Sequence, residues 1–225
     1  MFPGLSNFSN MEMEKIISCC NKYNTEIVKK LSTNGWRHFK DYFLIKENFL
    51  KSTLDDDFKN VFCTFYRVNG PMGLNDIQKM EFFRILSLKE NSLEIFLRSL
   101  YKLPGYGKSH KLFLSFGTKL LHTIDDCLPI YDRNIAYVLE LTSQAAGVFE
   151  VRIQNRIDIY NELKNDFDLL LRNYKIVNCL RSMRKEIYKA AAADHFEWKD
   201  NLVSDTKLLD SSLWALYGFL RESEE

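Results

Sequence analysis

Apolar residues recur at helical spacing along most of the chain, and short polar breaks separate the runs. The first strong segment runs from Met11 to Leu31, with Ile16, Ile17, Cys20, Tyr23, Ile27 and Leu31 on one face, and Asn34–Gly35 stops it. Trp36 to Phe49 is rich in aromatics and reads as a mixture of turn and short helix. Asp55 to Val68 predicts a helix with the stripe Phe58, Val61, Phe62, Phe65 and Tyr66, its leading acids complementing the positive helix start. Leu74 to Leu88 predicts the next, with Ile77, Met80, Phe83 and Leu86 facing inward. Ser92 to Tyr101 follows, with Leu93, Phe96, Leu97 and Leu100 inward. An apolar-faced stretch covers Lys108 to Ile124. Asp132 opens a helix to about Leu141, and Gln144 to Gly147 is expected to be a loop. Val151 to Leu171, Lys175 to Ala192 and Leu202 to Leu220 complete the pattern, the last anchored by Leu208, Leu209, Leu213, Trp214 and Leu216. No alternating run is long enough to demand a sheet. The expected fold is all-α with about nine helices. It forms a single chain, 1–225, with lobes at 55–127 and at 1–54 plus 128–225.

Composition agrees with this picture. With 225 residues, 46% hydrophobic and 27% charged, the chain can bury a core and is not of disordered type. Nine Gly and four Pro are few turn-formers for this length, which favours long helices. No apolar run approaches about 18 residues and the polar start lacks a signal pattern, so a cytoplasmic protein without membrane contact is expected. Five cysteines, with only Cys19 and Cys20 close in sequence, fit neither a disulfide framework nor a zinc site; buried thiols are the plain reading. No metal or cofactor is expected. Trp36, Trp198 and Trp214 are expected in the core.

The net charge of +1 argues against a protein that coats nucleic acid by bulk charge. Its distribution changes that view. Between Ile95 and Ile124 stand five basic residues, Arg98, Lys102, Lys108, Lys111 and Lys119, and no acidic one; against the total of +1, the other 195 residues carry −4. A second basic stretch holds Arg172, Lys175, Arg181, Arg184, Lys185 and Lys189, opposed only by Glu186. In the middle of the first stretch lies Leu103-Pro104-Gly105-Tyr106-Gly107. Two glycines around one apolar residue permit a tight turn with Tyr106 pinned inward. A helix starting directly after it would aim free amides at a phosphate. A plain αα-corner with a glycine stop has the same look.

This hairpin, a following helix and Pro129-Ile130-Tyr131-Asp132-Arg133-Asn134-Ile135 together resemble the helix-hairpin-helix DNA glycosylase superfamily. In that superfamily an LPGVG-like hairpin precedes a (V/P)-x-D-x-x-(V/I/M) element whose Asp is catalytic. The segments Ser115 to His122 and Leu209 to Leu216 look like those of compact bacterial proteins with the 8-oxoguanine glycosylase fold. The resemblance is strong over 97–139. It implies a two-lobed helical fold and Asp132 as the catalytic aspartate. It implies DNA contact through Leu103, Gly105, Tyr106, Gly107, Lys108, Ser109, His110 and Lys111, and a base pocket using Tyr131 and Phe116, with Tyr106 and Trp198 as further stacking choices. The nucleophilic lysine of bifunctional members falls on Ser109 here, and Lys119 is the alternative. Gly107 to Asp132 spans 25 positions, longer than the roughly twenty of the superfamily, and the cysteine cluster of its iron–sulfur members is absent.

The implied chemistry is hydrolysis of an N-glycosidic bond in duplex DNA, by a monomer, after the base is extruded. A carboxylate beside the deoxyribose stabilises the developing oxocarbenium ion and orients water. Asp132 equally fits a simple helix N-cap, and one residue can do both. A non-catalytic helix-hairpin-helix module that binds DNA is the alternative. Nothing in the residues selects the base, or repair over defence against phages with modified DNA; Gly70–Gly73 and Gln144–Gly147 are the loops expected to shape base choice. His110 and His122 read as surface or hydrogen-bonding groups. Asp125 and Asp126 sit at the unfavourable negative end of a helix, a conflict the sequence leaves open.

Overall fold

The computed structural model describes residues 10–142 and 147–222, and so the expected loop at 144–147 lies, apart from Gly147, outside the described residues. Among the described residues there is no strand; the chain forms eleven α-helices and two short 3-10 turns. The helices are α1 (Asn10–Lys22), α2 (Asn24–Leu31), α3 (Thr33–Leu50), α4 (Asp56–Phe65), α5 (Asp76–Ser87), α6 (Leu93–Tyr101), α7 (Leu114–Ile124), α8 (Arg133–Val138), α9 (Phe149–Arg172), α10 (Tyr174–Ala193) and α11 (Asp205–Glu222). None is long and apolar enough to cross a membrane.

Two units divide the chain. One comprises residues up to Arg37, Tyr131 to 142 and Asp158 onward; the other comprises His38–Ile130 and 147–157. The expected 55–127 segment lies wholly in the second. Its relatives in space, however, include the second half of α3 and the first turns of α9, which sequence spacing did not assign to it.

In the first unit, α11 packs against α8, α2, α1 and α10. Leu208, Leu209, Leu213, Ala215 and Leu216 are fully buried there, as are Ile27, Met183 and Ile187. Each such Leu, Ile or Met side chain contributes roughly 1.5–3 kcal/mol through burial. Trp214 is only half-buried; the Lys30 ammonium lies over its ring at 5.5 Å and donates to the Ala215 carbonyl at 3.1 Å. The long first helix is interrupted at Tyr23 (φ −105°, ψ 17°), whose ring stacks on Phe219 at 5.2 Å. Trp36 is 1% exposed and stacks on Phe196 at 5.1 Å, while Trp198 is half-buried and donates Nε1 to Asp200.

The expected turn-and-helix mixture at 36–49 is in fact regular helix. Asn34, Gly35 and Trp36 form a corner of three left-handed residues (φ 55°, 64° and 63°), and the chain is helical from there to Leu50. The Asn–Gly pair makes the corner accessible, and burial of the Trp36 ring holds it.

In the second unit, α5, α6 and α7 pack on one another. Their core is aromatic: Phe62 meets Phe82 at 5.3 Å, and Phe82 meets Phe96 edge-on at 5.7 Å. Ring pairs in this range add about 0.5–1.5 kcal/mol beyond their burial. Asp55 caps α4 by accepting from the Phe58 amide at 2.9 Å. Helix α5 buries Phe83 and Leu86 as expected, but the first half of the expected stripe faces outward. Ile77 is 58% and Met80 74% exposed, whereas Gln78, Phe82 and Ile85 are buried. Met80 lines a groove of about 710 Å³ with Lys59, Cys63 and Phe83. A buried glutamine takes the place of Ile77 and Met80, for reasons that belong to the hairpin.

Candidate nucleic-acid interface

Helix α6 ends at Tyr101, and the chain turns through Gly105-Tyr106-Gly107 as expected. The turn closes on itself. The Gly105 amide donates to the Ser109 carbonyl at 2.8 Å, the Lys108 amide to Gly105 at 3.0 Å, and the Ser109 hydroxyl to the Tyr106 carbonyl at 2.9 Å. Gly107 and Lys108 are left-handed (φ 65° and 59°). A Cβ on Gly105 would come within 3.1 Å of the Ser109 oxygen and 3.3 Å of Gln78 Nε2, so a side chain there would crowd the closed turn. These bonds leave the amides of Tyr106 and Gly107 outside the turn's own backbone pairing.

Two expectations about this turn are corrected. Tyr106 is 48% exposed rather than pinned inward. No helix follows at once: after a 3-10 turn over Tyr106–Lys108, residues 109–113 are non-helical and α7 starts at Leu114. The cause is local. Once the Ser109 carbonyl is taken by Gly105, His110 Nδ1 pairs with the Tyr101 carbonyl at 2.6 Å, which ties this strap to the end of α6. The start of α7 therefore does not sit on the turn, and the amides near a phosphate would be those of the turn.

The turn is braced from α5. Asn75 and Gln78 form a capping box, in which Asn75 Oδ1 accepts from the Gln78 amide at 3.0 Å and Gln78 Oε1 from the Asn75 amide at 3.3 Å. The remaining amide groups reach the turn: Gln78 Nε2 donates to the Leu103 carbonyl and Asn75 Nδ2 to the Pro104 carbonyl at 2.9 Å. The motif Asn-x-x-Gln signals such a box in sequence; its second task, holding Leu103 and Pro104, has no sequence signal.

The basic stretch is smaller than its count. Arg98 is committed to Glu94 at 2.8 Å and to Glu150 through two bonds at 2.9 and 2.6 Å. These carboxylates raise its already high pKa, Glu150 first. Lys119 is half-buried. Its Nζ donates to the Tyr66 carbonyl at 3.0 Å and lies 5.2 Å from the Phe116 ring centre. Lys102 and Lys108 are exposed and Lys111 half-buried; none has an ion-pair partner among the described residues. The second basic stretch is largely self-neutralised, with Lys175 on Glu14, Arg184 on Asp200 and Asp205, and Lys189 on Glu186.

In the first unit, Asp132 is the N-cap of α8, with extended backbone (φ −126°, ψ 152°). Its Oδ1 accepts from the Asn134 amide at 2.8 Å; Asp132 is half-exposed and the other oxygen is not taken up by any group among the described residues. Ile130 and Ile135, on either side, are 4% and 1% exposed and anchor the segment. Tyr131 is half-buried. Asp132 and Tyr131 thus belong to the first unit, whereas the hairpin, Lys119 and Phe116 belong to the second. Phe116 is 9% exposed and stacks on Phe113 at 5.5 Å, so it serves the second unit's core.

The two acids at the end of α7 find local explanations. Asp125 caps the helix and accepts from the Cys127 amide at 3.0 Å, and Asp126 faces the buried Lys46 at 3.4 Å. Together with Cys127 they are the one group among the described residues whose potential ligand atoms lie within 4.8 Å. His122 is fully buried, with Nδ1 2.7 Å from the Leu128 carbonyl and Nε2 3.3 Å from the Tyr42 hydroxyl. A carbonyl partner requires a proton on Nδ1, so Nε2 accepts from Tyr42. His122 is a structural bridge, while His110 is exposed.

Comparison of the chain with models of known families, with curated proteins and with solved structures returned no match.

Proposed function

We propose that this chain is a DNA glycosylase-like enzyme that extrudes a damaged or modified base from a duplex and hydrolyses its N-glycosidic bond. The observation that carries this reading is Asp132. Its carboxylate is locked at a helix start by one oxygen and leaves the second open, between two buried isoleucines. Such a group is held in place without being consumed by its structural bond. The hairpin, in the second unit, offers lysines without ion-pair partners among the described residues, and two turn amides, to phosphates.

In this reading Asp132 faces the deoxyribose, stabilises positive charge as the bond to the base breaks, and aligns the incoming water. Lys119 engages the Tyr66 carbonyl, so the reading is of a monofunctional hydrolase rather than a lyase working through a Schiff base. Duplexes carrying a panel of modified bases, incubated with the protein and heated in alkali, test it. Strand cleavage at one base type, lost in Asp132→Asn, is expected. Duplex binding with no abasic product across the panel would replace this reading by the non-catalytic DNA-binding module. A covalent adduct trapped by borohydride would restore Lys119 as a nucleophile if Lys119→Gln abolished it.

A further inference from the structure

Arg152 stands in the first turn of α9, outside both basic stretches. Its guanidinium lies over the Tyr101 ring, 6.0 Å from the centroid. That ring stacks on Phe149 at 4.2 Å and touches the His110 ring at 5.5 Å. The start of α9, the end of α6 and the strap after the hairpin therefore meet at Tyr101, all within the second unit.

Arg152 and Arg98 share this cluster but differ in one respect. Arg98 is saturated by two carboxylates, whereas the side chain of Arg152 makes no ion pair or hydrogen bond among the described residues. Its Nε is buried with no acceptor, and the residue as a whole is half-buried. A guanidinium pre-ordered on an aromatic face, with no carboxylate to neutralise it, is suited to an anion with two oxygens to offer.

We propose that Arg152 binds one phosphodiester of the DNA backbone, beside the contacts made by the hairpin lysines. This rests on the reading of the hairpin as a DNA surface, and it extends that surface onto α9. The ring of Tyr101 sets the orientation, and the phosphate supplies the negative charge that no carboxylate among the described residues provides.

Binding of the full chain to a plain duplex, measured by fluorescence anisotropy over a range of salt concentrations, tests it. Arg152→Gln is expected to weaken binding and to reduce the slope of log K against log salt by about 0.9, the value of one phosphate contact. Arg152→Lys is expected to keep the slope. Lys108→Gln should produce a loss of the same kind independently. Unchanged affinity and slope in a folded Arg152→Gln, with Lys108→Gln still impaired, would overturn the assignment of Arg152 alone. No duplex binding by the wild-type chain would overturn the underlying DNA reading instead.

Discussion

The side-chain amide of Gln78 donates to the carbonyl of Leu103 at 3.2 Å, joining the first turn of α5 to the hairpin 25 residues away. The same side chain closes the capping box of its own helix and is fully buried. Its truncation removes half of a cap and strands a carbonyl. Gln78→Ala is therefore expected to lower the unfolding free energy by about 1–3 kcal/mol. Denaturant titration checks the loss, and salt-dependent duplex binding checks whether the turn has lost its shape. An unaltered midpoint would show the brace to be dispensable.

Asp132 offers a separation of structure from chemistry. Asn caps a helix about as well as Asp, so Asp132→Asn should unfold within a few tenths of a kcal/mol of the wild type. Asp132→Ala should lose about 1 kcal/mol. Base excision should vanish in both. A stable Asp132→Asn that still releases base would leave the residue as a cap only.

Gly117 lies where α7 meets α6. A Cβ there would sit 2.7 Å from Leu93 Cδ1 and 2.8 Å from Phe96 Cδ1. Both neighbours are buried, so neither can swing into solvent. Gly117→Ala is expected to destabilise by about 1–3 kcal/mol through overpacking, despite the better helix propensity of alanine. Thermal unfolding reads the sign directly.

The clasp between Arg98 and Glu150 fixes a pH dependence. The hydrogen-bonded guanidinium holds the Glu150 carboxyl below its ordinary range. A depressed folded-state value means the pair is intact above the usual glutamate range and is lost only as pH falls through the lowered value. Carboxyl NMR titration should place the Glu150 midpoint below that of a free glutamate, and Arg98→Gln should return it to ordinary. A normal midpoint in the wild type would mean that the ion pair does not persist in solution.

Much of this architecture follows from spacing. Leu93, Phe96, Leu97 and Leu100 are buried as their period requires, and Asp55 caps the helix its acids announce. Helix α5 shows why the rule fails elsewhere. Phe83 and Leu86 are buried as their period requires, but in the first turns Gln78 is buried instead of Ile77 and Met80, because the hairpin carbonyl gives its amide a partner. Ile77 and Met80 then face out. Residues 109–113 look helical by composition, yet a side-chain bond from His110 to Tyr101 outweighs propensity. At the candidate site, Asp132 was visible because a capping acid after a proline is a local pattern. Arg152 was not, since its position depends on a distant stretch of chain meeting Tyr101. The count of charges likewise could not reveal that Glu150 neutralises Arg98.

The interleaving of the two units has a consequence for synthesis. The second unit takes most of its chain from His38–Ile130, whereas the first needs α2 together with α8, α10 and α11. On the ribosome, α5 to α7 emerge close to one another, while α2 must wait for α10 and α11. The earliest-made helices are thus among the last to find their core, and until then their apolar faces are exposed to chaperones and to one another.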